Sequence, residues 1–378
     1  MYVDHLTLRD FRSWPELELD LGSGITALVG RNGQGKTNIV EAIDYLSRLS
    51  SHRVVADAPL VRQGASQAIV RAAAVRDERR AVLEIEINPG RSNRARINSS
   101  PLPKARELLG VLRSVVFAPD DLALVKGDPG DRRRYLDDLL IQRTPRFAGV
   151  RADYDRVLKQ RNSLLRSASV ARGSREAALA TLEVWDERLV DIGAQIAAAR
   201  IGLVADLGPV LGKAYEAVAR GAHRDDATVA YQCSFAAELS TDHDALVAQF
   251  RTKLAERQKD ELDRGITLAG PHRDELLCSL GELPVKGYSS HGESWSFALA
   301  LRLGSYDLLR APDIGEAEDP VLILDDVFAE LDAGRREQLA EMIIGAEQVL
   351  ITAAVADDVP PQLRERRYSV ADGEVRRD

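Results

Sequence analysis

Cysteine is scarce in this chain: Cys233 and Cys278 are the two present among 378 residues. Their wide separation matches neither a disulfide framework nor the paired spacing of a zinc site. Such usage suits a reducing compartment, so a cytoplasmic location is expected. Long apolar runs are also missing, because no uninterrupted stretch approaches the roughly 18 residues of a membrane span. The opening from Met1 to Phe11 lacks the basic flank and apolar segment of a secretion signal. A membrane-embedded or exported protein is therefore not expected. An NKxD guanine-recognition motif is absent too, which sets aside the P-loop GTPases.

An excess of positive charge is lacking, since the formal net charge is −8. What decides affinity for a polyanion, however, is where charge sits rather than its sum. Lys126 to Arg175 holds 13 Lys/Arg against 6 Asp/Glu, whereas Asp313 to Glu347 holds 2 Arg against 11 Asp/Glu. The basic stretch reads either as a solvated helix face or as a surface for a polyanion. With 45% hydrophobic residues the chain can bury a substantial core, and its length suggests two lobes.

Periodicity divides the chain into three parts. In the first, 1–125, Leu17, Leu19 and Leu21 alternate with acidic residues, and a Gly22-Ser23-Gly24 turn feeds the apolar run Ile25 to Val29. A helix is expected over Asn38 to Leu49, and strands at Ala81 to Ile87 and Val115 to Phe117. The middle, 126–265, has helical spacing at Val150, Tyr154, Val157, Leu158, Arg161, Leu164 and Leu165, followed by a polar loop, Ser167 to Arg175. Leu182, Trp185, Leu189, Ile192, Ile196, Ala199 and Leu203 then repeat at intervals of three and four, the seam along which one helix packs on another. The two segments suggest a short antiparallel helical arm, or an ordinary helical subdomain. In 266–378, strands are expected at Leu276 to Leu280, Pro284 to Tyr288, Val321 to Leu324 and Gln348 to Thr352. Helices are expected from Glu293 to Leu309 and Gly334 to Ile344. The predicted class is α/β, a P-loop NTPase split by a helical insertion.

Gly30-Arg31-Asn32-Gly33-Gln34-Gly35-Lys36-Thr37 fits GxxxxGK[ST] between a strand and a helix. Backbone N–H groups freed by the glycines can wrap phosphates, Lys36 can reach the β- and γ-phosphates, and Thr37 can ligate Mg²⁺. ATP and Mg²⁺ are the expected cofactors. Val321-Leu322-Ile323-Leu324-Asp325-Asp326 places two carboxylates at the end of an apolar strand, with Asp325 to hold Mg²⁺ and Asp326 to act as general base. By itself the pair also fits a plain strand end.

Ser289-Ser290-His291-Gly292-Glu293 opens a helix about 30 residues before Asp325, where an ABC signature lies. Ser290, Gly292 and Glu293 there read as the anion site completing the γ-phosphate pocket of an opposite subunit, or as a helix cap. Asp332, in Glu330-Leu331-Asp332, reads as a D-loop residue crossing to that subunit, or as an N-cap.

Leu8-Arg9-Asp10-Phe11-Arg12-Ser13, the phosphate loop, Phe117-Ala118-Pro119-Asp120-Asp121-Leu122, Arg132-Arg133-Arg134-Tyr135-Leu136-Asp137 and Gly270-Pro271-His272-Arg273-Asp274 join these motifs over nearly the whole chain. Together they resemble the RecF family of SMC-like ABC ATPases. The resemblance implies an ATP-dependent homodimer that binds DNA at gaps or single-strand/duplex junctions and hydrolyses ATP weakly. It further implies action with RecR and RecO to load RecA, in replication-fork repair and the SOS response. Arg12 resembles an arginine that contacts nucleotide in related heads, and Arg132, Arg133 and Arg134 are the candidate DNA contacts. His291 and Glu293 replace the more usual glutamines of the family's signature.

The stretches Phe117-Ala118-Pro119-Asp120 and Thr352-Ala353-Ala354 lack the glutamine and histidine of ABC transporters, which disfavours transport. About three heptads are too few for a long SMC-type arm. A nucleotide-gated scaffold, for which hydrolysis matters little, shades into the clamp reading.

Overall fold

The computed structural model describes residues 1–170, 175–219, 224, 226–311 and 318–378, with backbone alone at 169, 170 and 175–180. Inward leucines and outward carboxylates alternate along β2 (Trp14–Asp20), which pairs antiparallel with β1 (Tyr2–Phe11). The Gly22–Gly24 turn then admits β3 (Gly24–Val29), and α1 (Lys36–Arg48) follows the phosphate loop. Next come β4 (Ala68–Arg76), β5 (Arg79–Ile87), β6 (Arg94–Ile97), β7 (Ser100–Pro101) and β8 (Ser114–Phe117). The middle contains α2 (Leu122–Lys126), α3 (Pro129–Arg143), α4 (Phe147–Val170), α5 (Arg175–Val218), β9 (Ala227–Gln232) and α6 (His243–Arg264). The last third contains β10 (Glu275–Leu280), β11 (Leu283–Pro284), α7 (Val285–Tyr288), α8 (His291–Arg310), β12 (Val321–Asp325), α9 (Ala333–Ile343), β13 (Gln348–Ala353), β14 (Arg366–Ala371) and β15 (Glu374–Arg377).

Two compact units result. The first comprises Met1–Val125, Val210–Asp226 and Ser289–Asp378. It holds an antiparallel sheet, β2-β1-β4-β5-β6-β7, and a sheet ordered β15-β14-β3-β13-β12-β8 that is parallel except at β15. Helix α1 packs against both sheets, which is why Ile39, Val40, Ile43 and Leu46 are all buried in one core with Leu6, Val70, Leu28 and Ile323. A helix apolar on several faces needs cover on several sides. Burying four such aliphatic side chains contributes on the order of 6 to 12 kcal/mol before the opposing chain entropy.

The second unit comprises Lys126–Pro209 and Ala227–Tyr288. Its core gathers Tyr154 and Val157 of α4, Leu189 and Ile196 of α5, and Leu246, Phe250 and Leu254 of α6; Phe235 stacks on Phe250 at 4.2 Å. The seam predicted for α5 is inward, with Leu182, Leu189, Ile192, Ile196 and Leu203 buried. Arg161, 1% exposed, pairs with Glu261 at 2.8 Å and Asp186 at 2.5 Å. A buried guanidinium persists when its donors are met in this way.

Several expectations shift. The boundary set at residues 265/266 falls at 288/289, because β10 pairs with β9 and so belongs to the helical unit, while residues 210–226 belong to the first unit. Of Pro284 to Tyr288, Pro284 ends β11 while Val285–Tyr288 forms the short α7, broken by non-helical Lys286 and by Gly287 at φ 88°, rather than a strand. Of the loop predicted over Ser167 to Arg175, Ser167 to Val170 continue α4 and residues 171–174 lie outside the described residues. Asp313 and Glu316 of the acidic stretch lie outside them as well. Thr181–Val218 is long and apolar enough, by length and composition, to cross a membrane. Charges such as Arg188, Asp191 and Arg200 interrupt it, so a search for an unbroken run passes over it.

Candidate functional site

The phosphate loop leaves the end of β3, flanked by β14 and β13, with β12 one strand further. Close approach dictates its glycines. A Cβ on Gly30 would lie 2.1 Å from the Val370 carbonyl oxygen. Gly35, at φ 94°, is the left-handed residue that turns the loop into α1, and its carbonyl accepts from Trp14 Nε1 at 3.1 Å. Gly33 takes φ 84°, and Arg31, Asn32 and Gly33 are exposed. Gln34 Oε1 accepts from the Asp372 N–H at 2.7 Å. Lys36 is buried; its Nζ donates to the carbonyls of Gly30 at 2.7 Å and Arg31 at 3.3 Å, which folds the lysine back along the loop.

Thr37 and Asp325, 288 residues apart in sequence, meet here: the Thr37 hydroxyl donates to Asp325 Oδ1 at 2.8 Å. Thr352, on β13, donates its hydroxyl to the same oxygen at 2.6 Å and accepts the Asp326 N–H at 2.9 Å. Asp326 sits at φ 53°, where Asp and Asn are tolerated better than most residues. Its Oδ1 is buried and has no hydrogen-bond partner among the described residues. Burial raises the Asp326 carboxyl above the usual carboxylate range; Lys36 opposes this, and Asp325 and Asp358 add to the rise. One hydroxyl and one carboxylate converging on a point suit Mg²⁺, which takes few protein ligands and completes its shell with water and phosphate oxygens. Thr37 and Asp325 are the residues able to hold it.

Ser290 is exposed and caps α8: its Oγ accepts the Glu293 N–H at 3.2 Å, and Glu293 Oε2 accepts the Ser290 N–H at 2.8 Å. Asp332 is exposed and caps α9, accepting from the Arg335 N–H at 3.0 Å and pairing with Arg335 Nη1 at 2.9 Å. Arg335 joins the two, its Nη2 lying 2.9 Å from where a Cβ on Gly292 would be. Among the described residues, no hydrogen bond or ion pair links Ser290, Gly292 or Asp332 to residues 30–37.

The remaining candidates divide. Arg12 is engaged by buried Glu41 through Nε at 2.9 Å and Nη2 at 2.5 Å, and its Nη1 donates to the Pro59 carbonyl, so its donors serve the fold. Arg132 is corrected as a surface contact: it is 7% exposed and grips Glu275 with Nε at 2.8 Å and Nη2 at 3.0 Å. Arg133 is half-buried and donates to the Asp274 carbonyl at 2.9 Å. Arg134 alone of the three is exposed. Sequence reasoning missed Thr352 as the residue that holds the Asp325 carboxylate and the Asp326 backbone N–H; its signal was a hydroxyl in the stretch where transporters carry histidine. Trp14 and Glu41 were also missed, and their partners are too distant in sequence to leave a local pattern.

Residues 2–359 match the family model of the RecF/RecN/SMC N-terminal domain. The chain is 58% identical to the DNA replication and repair protein RecF of Nocardioides sp. and 57% identical to that of Streptomyces avermitilis, with 100% of each chain covered. Among solved structures, the recombination mediator protein RecF of the RecFOR pathway with ATPrS gives a TM-score of 0.89 at 26% identity, over 100% of this chain and 98% of that one. The same protein solved with ATP gives 0.89 over 97% of its chain. The Smc head domain of Pyrococcus furiosus, at TM-score 0.54 and 16% identity over 100% of this chain and 96% of that one, shares the fold alone. The architecture is thus the α/β ABC-ATPase head, split by a helical insertion, that the motif order predicted.

Proposed function

Because the chain belongs to the RecF family, within the RecF/RecN/SMC N-terminal domain proteins, we propose that it is a cytoplasmic ATP-dependent DNA-binding recombination mediator. In this reading it dimerises on ATP at gapped or single-strand/duplex junction DNA and acts with RecO and RecR to load RecA. Slow ATP hydrolysis to ADP and phosphate times release. The observation carrying the reading is the meeting of Thr37 with Asp325 at 2.8 Å, next in sequence to Asp326, whose buried Oδ1 has no hydrogen-bond partner among the described residues.

Each residue then has a task. Backbone N–H groups from Gly30 to Thr37 cradle the phosphates, and Lys36, released from the Gly30 carbonyl, meets the β- and γ-phosphates. Mg²⁺, held by Thr37 and Asp325, supplies charge neutralisation when bound. Asp326 takes the proton of the attacking water, a role suited to a carboxylate of raised pKa. Ser290 and Asp332 are exposed, Gly292 is half-buried against Arg335, and among the described residues none of the three bonds to its own phosphate loop, which suits donation to the loop of a second copy across a two-fold interface.

A mixing experiment tests this. Ser290→Arg is expected to bind ATP as the wild type does but neither to dimerise on ATP in gel filtration nor to turn it over. Mixing it with Lys36→Ala gives a heterodimer with one site intact in both elements, so partial dimerisation returns. Normal dimerisation and turnover by Ser290→Arg alone would falsify the composite site.

A further inference from the structure

Two sequence segments take no part in the nucleotide chemistry, the arginine run on α3 and Gly270-Pro271-His272-Arg273-Asp274. In the helical unit Arg133 and Arg134 of the first and Pro271 and His272 of the second line one cavity of about 260 Å³, together with Arg151 of α4 and Arg200 of α5. That volume lies below the roughly 300–1,000 Å³ of pockets for drug-sized ligands, and it exceeds several times the roughly 30 Å³ share of one water. It suits one small group.

The wall is cationic and pre-organised. Arg200 is 2% exposed, with Nε and Nη2 held by Asp137 at 2.8 and 2.7 Å and Nη1 by the Pro271 carbonyl at 2.7 Å. Arg151 pairs with Asp137 and with Asp155 at 3.3 Å. Arg133 is anchored on the Asp274 carbonyl. Four guanidinium groups, those of Arg133, Arg134, Arg151 and Arg200, and one carboxylate, that of Asp155, line the cavity; Asp137 behind Arg151 and Arg200, and Asp274 and Glu275 near Arg133, offset part of that charge. Burial, and then the charge of Arg200, lower the pKa of Arg133, while burial likewise lowers that of Arg151 against the pull of Asp155. His272 adds no charge: burial pushes it down to about 4, and its Nδ1 accepts from the Tyr154 hydroxyl at 2.8 Å. Arg134 is exposed and has no partner among the described residues, so one fork is left for a ligand.

Guanidinium forks match phosphate oxygens bidentately and do not bind metal cations. We infer that this cavity receives one phosphate group of a DNA strand, an assignment that rests on DNA being the partner. Lys159, exposed and two turns beyond Arg151 on α4 with Asp155 between them, is a further cation within reach of a polyanion and out of reach of a free phosphate ion held at Arg134.

The test uses the full chain with ATP and a gapped duplex oligonucleotide, with affinity measured across a salt series. Losing one phosphate contact flattens the slope of log K on log salt by about 0.7 to 0.9, which corresponds to roughly five- to eightfold weaker binding at 0.1 M salt. Arg134→Gln should show both changes, Arg134→Lys should restore the slope by keeping the charge but only part of the affinity because the fork is lost, and Arg251→Gln, which removes an exposed charge from α6, should change neither. Unaltered affinity and slope in Arg134→Gln, with the wild type binding DNA normally, overturn the cavity and leave the DNA reading intact. A wild type that binds no DNA overturns both. Thermal stabilisation by inorganic phosphate that depends on Arg134, without any effect of Arg134 on DNA binding, overturns the assignment to a strand and points to a free phosphate.

Discussion

Asp326→Asn separates chemistry from structure with little disturbance. Asn tolerates the φ of 53° as Asp does, and the backbone bonds from the Asp326 N–H to Thr352 Oγ1 at 2.9 Å and to the Thr352 carbonyl at 3.3 Å persist. Asp325 keeps its bonds to Thr37 and Thr352, so ATP affinity should stay near that of the wild type. What disappears is the proposed base. General-base catalysis typically contributes 10²- to 10⁴-fold, about 2.7 to 5.4 kcal/mol of barrier, and the turnover rate should fall within that range. Wild-type turnover should rise with pH through the elevated Asp326 pKa, whereas the variant should lack that limb. Stability should move the other way. A carboxyl whose folded pKa is raised binds its proton more tightly in the native state, so the wild type loses stability as pH climbs from the ordinary 3.8 through the folded value. The variant should therefore melt at or above the wild-type temperature at neutral pH, with the advantage shrinking in acid. Single-turnover hydrolysis, an ATP titration and melting curves at two pH values check all three. Turnover within tenfold of the wild type, or affinity lost in proportion to turnover, refutes the assignment of the base.

Gly30→Ala places a methyl group 2.1 Å from the Val370 carbonyl, so the loop or β14 must shift. Overpacking of this kind costs about 1 to 3 kcal/mol, and a urea midpoint and ATP affinity both equal to wild type would contradict the close approach. Arg132→Ala should destabilise by about 3 kcal/mol, the lower end for breaking a buried pair, because the Glu275 side chain retains 17% exposure. It should leave the salt slope of DNA binding unchanged, the reverse of the outcome for Arg134→Gln; a flattened slope with full stability would return Arg132 to the surface.

Legibility in the sequence followed distance. The phosphate loop and the paired carboxylates are local patterns, each bounded by its own strand, and their chemistry requires those residue types at that spacing. Arg132, Arg133 and Arg134 are chemically alike, and what sorts them is Glu275, 143 residues away, together with the Asp274 carbonyl. No window around the run contains that information. The unit boundary escaped for the same reason, since β10 is drawn into the helical unit by its register with β9, Leu276 opposite Tyr231. Helix α5 shows the opposite failure: its seam was legible, while Arg200, paired with Asp137, looks in the sequence like any solvated arginine.

Ser290 shows why two readings of one residue need not compete. A hydroxyl has one donor and two acceptor lone pairs. Capping α8 uses one acceptor, for the Glu293 N–H at 3.2 Å, near the long limit of a normal bond. The donor remains for an anion, and the cap fixes the oxygen beside the first turn of the helix, where the dipole favours negative charge. Asp332 is placed by the same means at the start of α9. Arg335 pairs with that aspartate while packing against Gly292, so one side chain holds both exposed helix starts in register. A second copy of the chain would therefore meet a preset face, and ATP need order only the phosphates between the two copies.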